Sequence, residues 1–213
     1  MGAMAMLGYA MIQPGEHHGD EVPEDTPGKW LALVGENNAY TLEVMEVGVE
    51  TVRDLVSEPD DGPPTGKKVS LVGPQASRTG VVVLLRGPGL TPGPVKLAQE
   101  PPRPVFPGDR QFLTFGDTYV EIFGVGSADD AGRIESFGLF TTETVLLARQ
   151  PMSLETGGGV PSVQLAGDFD RDGRLDFLVS TGTHYNVREL TLFLSNGAEA
   201  GVRPVAVWRT VGC

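Results

Sequence analysis

The chain has 213 residues, with 28 acidic against 16 basic side chains and a formal net charge of −12. No basic stripe is present, which argues against nucleic acid and anionic membrane surfaces as partners. No apolar run reaches the roughly 18 residues of a membrane span, and the single cysteine, Cys213, leaves no intramolecular disulfide to form.

Short runs of Val, Leu, Phe and Thr are broken throughout by 29 Gly and 17 Pro. This pattern predicts a mainly β fold of antiparallel sheets and hairpins, sandwich- or barrel-like, with little helix. Three stretches are expected: an irregular arm over 1–28, a β module over 29–100 and a second β module over 101–213. The opening Met1–Ile12 lacks the basic region of a secretory signal. Met1–Met4 reads as a cloning remnant that replaced a native signal.

In the arm, His17 and His18 lie beside Glu16 and Asp20. Adjacent histidines in extended backbone point opposite ways, and no third ligand stands at a supporting spacing, so a transition-metal site is not expected. Trp30–Val34 and Tyr40–Val47 read as a hairpin about Gly35-Glu-Asn-Asn38. Ser57–Lys68 reads as a loop. Its Gly66-Lys67 does not complete a phosphate loop, because the spacing from Gly62 is short and Lys68 stands where a hydroxyl is needed.

Val69–Val72 and Gly80–Arg86 read as strands, the second apolar on both faces and so central in its sheet. Gly87–Pro107 is turn-rich and marks a long connection or a module boundary. Gln111–Phe115 and Thr118–Val125 form a second hairpin about Gly116-Asp117. Phe137–Thr141 and Thr144–Arg149 are further strands, and Gly157–Gly159 is a flexible entry to the carboxy-terminal strands.

The acidic run Asp168-Phe-Asp-Arg-Asp-Gly-Arg-Leu-Asp176 lies between the strand Val163–Ala166 and the apolar run Leu175–Val179. Carboxylates fall at loop positions 1, 3, 5 and 9, with Gly173 at position 6. Short acidic side chains at alternate positions converge only if the backbone curls, and Gly173 permits the left-handed conformation such a curl needs. Several oxygens closing on one centre suit a hard divalent cation, Ca²⁺ before Mg²⁺. The predicted ligands are the side chains of Asp168, Asp170, Asp172 and Asp176 with the carbonyl of Arg174. The Arg171 and Arg174 side chains are expected to point outward. Position 12 is Val179 inside a strand, not the closing carboxylate of an EF-hand.

Gly167–Asp176, an apolar strand, and then Leu192-Phe-Leu-Ser-Asn-Gly197 together resemble the FG-GAP repeat of integrin α-chain type. The resemblance covers about 40 residues and implies a calcium-holding loop in a β-hairpin. A propeller needs at least four blades of about 40 residues or more. Only one copy is present, so the loop carries over and the propeller does not. The carboxy-terminal half through Thr210–Cys213 also resembles secreted bacterial proteins. Cytosolic calcium is too scarce to fill a site of ordinary affinity, so a periplasmic or secreted location is expected. By analogy with adhesins bearing such repeats, the expected role is non-enzymatic binding of a protein or glycan.

The alternative is a cell-envelope hydrolase. Its general base would be His184, beside Tyr185 and Asn186, or its carboxylates would be the strand glutamates Glu43 and Glu121. No nucleophile elbow or zinc-protease motif is present to support it. A third reading is a subunit of a larger assembly with Cys213 or edge strands at the interface; oligomeric state is not legible in the sequence.

Overall fold

The structure, a computed structural model, describes residues 4–5, 8–54, 62–130, 134–151, 160–182, 186–195 and 201–211. The protein is mainly β, built of antiparallel sheets. Among the described residues helical structure is limited to two 3₁₀ turns, Gly19–Glu21 and Gly73–Gln75. No helix among them is long and apolar enough to cross a membrane. The chain divides into two compact units, one of Met1–Val95 with Ala206–Cys213, the other of Lys96–Val205.

The first unit opens with β1 (Met4–Ala5), β2 (Ala10–Ile12) and β3 (Gly15–His17). The stretch expected to be an irregular arm is therefore partly strand. The cause is apolar content: Met11 and Ile12 are fully buried, and β2 pairs with β7 (Val81–Arg86) through Met11 and Leu85. β4 (Gly28–Glu36) and β5 (Ala39–Val52) form the predicted hairpin. Its turn residues Asn37 and Asn38 have φ of 51° and 63°, the left-handed pair that a two-residue hairpin turn demands. β6 (Gly66–Val72) lies along the far half of β5, and Gly93–Val95 of β8 (Gly93–Leu97) along its first residues.

β7 pairs with β2 on one edge and β4 on the other, the central placement its two-sided apolar run predicts. Since β3 pairs with β6, the two ends of the path β2-β7-β4-β5-β6-β3 are separated in sequence only by Gln13 and Pro14. The sheet is thus nearly closed, like a barrel. Trp30, Leu33, Leu42, Met45, Val83 and Leu84 are buried in this unit. β8 lies within the turn-rich stretch read as a connection, where Val95 supplies a buried apolar anchor.

The second unit holds the four-stranded sheet β9 (Arg110–Phe115), β10 (Thr118–Ala128), β11 (Ile134–Thr141) and β12 (Val145–Pro151). The meander β13 (Ser162–Asp168), β14 (Asp176–Ser180) and β15 (Val187–Ser195) comes next in the chain. β16 (Val202–Val211) begins in this unit and ends in the first. Leu113, Ile122, Phe137 and Leu139 of the four-stranded sheet share one core with Val163, Phe177, Val179 and Phe193 of the meander. Two sheets over one core make a sandwich.

Gly126 in β10 has no room for a side chain, since an added Cβ would stand 2.0 Å from the backbone oxygen of Ser136. Gly126→Ala is expected to lower stability by about 1–3 kcal/mol. Urea unfolding checks this, and an unchanged midpoint would mean the strands separate freely there.

Candidate metal site

The β13–β14 turn places the acidic loop where two strands diverge. Asp168 is the last residue of β13 and Asp176 the first of β14, with Gly167 paired to Asp176 across the ladder. Phe169 and Leu175 are buried at the two shoulders and pull the turn into the core. Between them the backbone reverses through Arg171 at φ 64° and Gly173 at φ 85°. Gly173 has the left-handed conformation predicted for it. The same conformation at Arg171, a residue with a side chain, was not legible.

Two aspartates curl the loop from within. Asp172 N–H donates to Asp170 Oδ1 at 3.3 Å and Arg174 N–H to Asp172 Oδ1 at 2.9 Å, the local turns that short acidic side chains favour. Gly173 N–H donates to Asp168 Oδ2 at 3.0 Å. Asp176 is fully buried and accepts two backbone amides, Phe169 N–H at 2.7 Å on Oδ2 and Ser195 N–H at 2.8 Å on Oδ1.

Three of the five predicted ligands converge. Asp168, Asp170 and Asp176 each present a carboxylate oxygen, and the three oxygens lie within 4.8 Å of one another. Asp172 is engaged elsewhere, its Oδ2 accepting from the Ser195 hydroxyl at 2.5 Å. Arg174 is in the loop with its side chain exposed, as is Arg171. Ser195 was missed by sequence reasoning. It reaches the loop because β15 pairs with β14 and ends beside it.

This cluster of three carboxylates could hold a metal ion. Asp168 is only 8% exposed, and its Oδ1 has no hydrogen-bond partner among the described residues. A buried carboxylate oxygen left without a partner is costly, and the same residue is clustered with two further carboxylates. Burial, then the neighbouring Asp172, raises Asp170 above the usual carboxylate range. Burial is also the largest influence on Asp176, with Asp170 and Asp172 adding to it. It outweighs the two amides and pushes this carboxyl up to about 8. Oxygens 2.3–2.6 Å from a calcium ion stand at most about 5 Å apart, so the observed spread fits that sphere.

The other predicted candidates fall differently. Glu43 accepts from Arg78 at 2.7 Å and Glu121 from Arg110 at 2.6 Å, each carboxylate held by its own guanidinium. His184, Tyr185 and Cys213 lie outside the described residues.

In the first unit, His17 and His18 point apart as extended backbone requires. The buried His17 ring packs edge-on against Trp208 and shares a 2.9 Å hydrogen bond between Nε2 and the Gln13 carbonyl. Burial lowers its pKa. His18 Nδ1 meets the buried Asp54 at 2.5 Å, and that hydrogen bond raises its pKa. Glu21 accepts from Thr210 Oγ1 and Val211 N–H at 2.6 and 2.7 Å, tying the end of β16 to the amino-terminal turn.

A raised histidine contributes stability that is present below its ordinary value and lost as pH rises through the raised one. A lowered histidine contributes stability that is lost as pH falls below the ordinary value. His18 is therefore expected to titrate above 6.5 and to move down in Asp54→Asn, followed by the imidazole C–H resonances. A His18 resonance indifferent to the substitution would refute the pairing.

No family model, no curated protein and no solved structure matches the chain.

Proposed function

We propose that the protein is an extracytoplasmic β protein that holds Ca²⁺ in the Asp168–Asp176 loop and serves as a non-enzymatic binding module for a protein or glycan. The observation that carries the reading is the buried, unpartnered Asp168 Oδ1 beside the carboxylates of Asp170 and Asp176. One divalent ion would satisfy that oxygen, relieve the repulsion and lock two strand ends together. The loop's resemblance to FG-GAP repeats supports the same assignment, with the Arg174 carbonyl as a further ligand and Asp172 supporting through Ser195.

The location is inferred from the ion, since only an extracytoplasmic space holds free calcium high enough to fill a site of modest affinity. The form of the hydrolase reading that uses Glu43 and Glu121 is disfavoured because each carboxylate is paired to an arginine.

Calorimetric titration of Ca²⁺ into chelator-stripped protein tests the ion directly. A single saturable site is expected, preferring Ca²⁺ to Mg²⁺. Heats no larger than those of buffer would end the proposal.

A further inference from the structure

A cleft of about 540 Å³ opens beside the acidic loop in the second unit, lined by Tyr119 and Val120 of β10, Thr142 and Glu143 after β11, and Arg174 and Leu175 of the loop. Its volume lies inside the roughly 300–1,000 Å³ of small-molecule sites, room for a short oligosaccharide.

Three of its side chains carry unused chemistry. The Tyr119 ring is 75% exposed at the rim. Its hydroxyl, the Glu143 carboxylate and the Arg174 guanidinium have no hydrogen-bond or ion-pair partner among the described residues.

We infer that this cleft binds a neutral saccharide, and that calcium in the adjoining loop sets its geometry. An aromatic face carries partial negative charge that attracts the polarised C–H bonds of a sugar ring. Arg174 supplies N–H donors in a planar fork and Glu143 supplies acceptors, together matching hydroxyls that each donate and accept. A phosphate or other strong anion is disfavoured by Glu143 and by the adjoining aspartates.

Coupling to the ion arises from connectivity. Arg174 N–H is held by Asp172, and Asp172 by the Ser195 hydroxyl. The amide of Ser195 is held in turn by Asp176. Filling the loop fixes Asp176 and, through Ser195 and Asp172, the base from which Arg174 projects. This inference rests on the calcium reading above and adds the ligand class to it.

The test uses the full chain and a panel of soluble gluco-, manno-, xylo- and malto-oligosaccharides, titrated by calorimetry in millimolar calcium and again in excess EDTA. At least one oligosaccharide is expected to bind in calcium and to bind at least tenfold more weakly in EDTA. Tyr119→Ala and Glu143→Ala are each expected to weaken binding about tenfold while leaving the calcium-induced rise in Tm intact. That rise shows both variants folded and separates the two proposals. A normal calcium response with no oligosaccharide bound overturns the saccharide site alone. Equal binding in EDTA, or binding untouched by both substitutions, overturns it as well. Loss of the calcium response in the unsubstituted protein overturns the calcium reading instead.

Discussion

Asp176→Ala is expected to cost about 5 kcal/mol or more in the presence of calcium, the largest effect of any single substitution in the loop. Two losses combine. With free calcium at about 100 times Kd, the ion stabilises the fold by roughly 2.7 kcal/mol, and the variant cannot retain it. The amides of Phe169 and Ser195 also lose the buried acceptor that holds them, at about 1–3 kcal/mol each.

A domain with a total stability of about 5–15 kcal/mol has little left after such a loss. Asp168→Asn therefore makes the sharper companion. It keeps an oxygen for Gly173 N–H and removes the charge from the buried, unpartnered position. In EDTA this variant is expected to melt no lower than the unsubstituted protein, because like-charge repulsion has been relieved. In calcium it is expected to show none of the rise in Tm of about 5–10 °C that the unsubstituted protein gains. Superimposable melts of the unsubstituted protein in calcium and in EDTA would remove the ion from the fold altogether.

Calcium affinity is expected to fall steeply as pH drops from 8 to 6. Asp176 without the ion carries its proton up to about 8, and a bound cation requires the carboxylate. Each unit of pH below that value costs close to a factor of ten in apparent affinity, so Kd should weaken roughly fiftyfold between pH 8 and pH 6.

The sign for the ion-free protein is the reverse. A carboxyl raised in the folded state contributes stability that is fully present below its unfolded value of 3.8 and is lost as pH rises through about 8. Without calcium the fold should weaken from mildly acidic to mildly alkaline pH; with calcium it should strengthen. Titration in two buffers of different ionisation enthalpy counts the protons released. An affinity unchanged between pH 6 and pH 8 would show that Asp176 does not exchange a proton for the metal.

The features legible in the sequence are those whose physics is local. Asn37-Asn38 turns the first hairpin because both residues accept left-handed φ. Gly173 marks the curl of the acidic loop for the same reason, and the spacing of the aspartates shows that several carboxylates must meet. The divergence of His17 and His18 likewise comes from strand geometry alone.

Which oxygens meet was a different matter. Asp172 leaves the ligand group because Ser195, 23 positions away, offers a hydroxyl at the end of a neighbouring strand. Asp54 lies 36 positions from the His18 it holds. The amino-terminal arm looked irregular because Met11 and Ile12 are too short a run to announce a strand. Pairing with β7 gives them one.

By itself the sequence determined that the protein is β-rich, where its hairpins turn and where a cation could be held, since alternation, turn conformation and charge spacing act over a few residues. Only the tertiary structure decided that Asp168, Asp170 and Asp176 share the site, that Asp172 is bound by Ser195 and that the chain's end returns to its first unit. Those outcomes depend on which strand edges lie together, and pairing between distant segments is settled by burying a common core rather than by any residue's own preference.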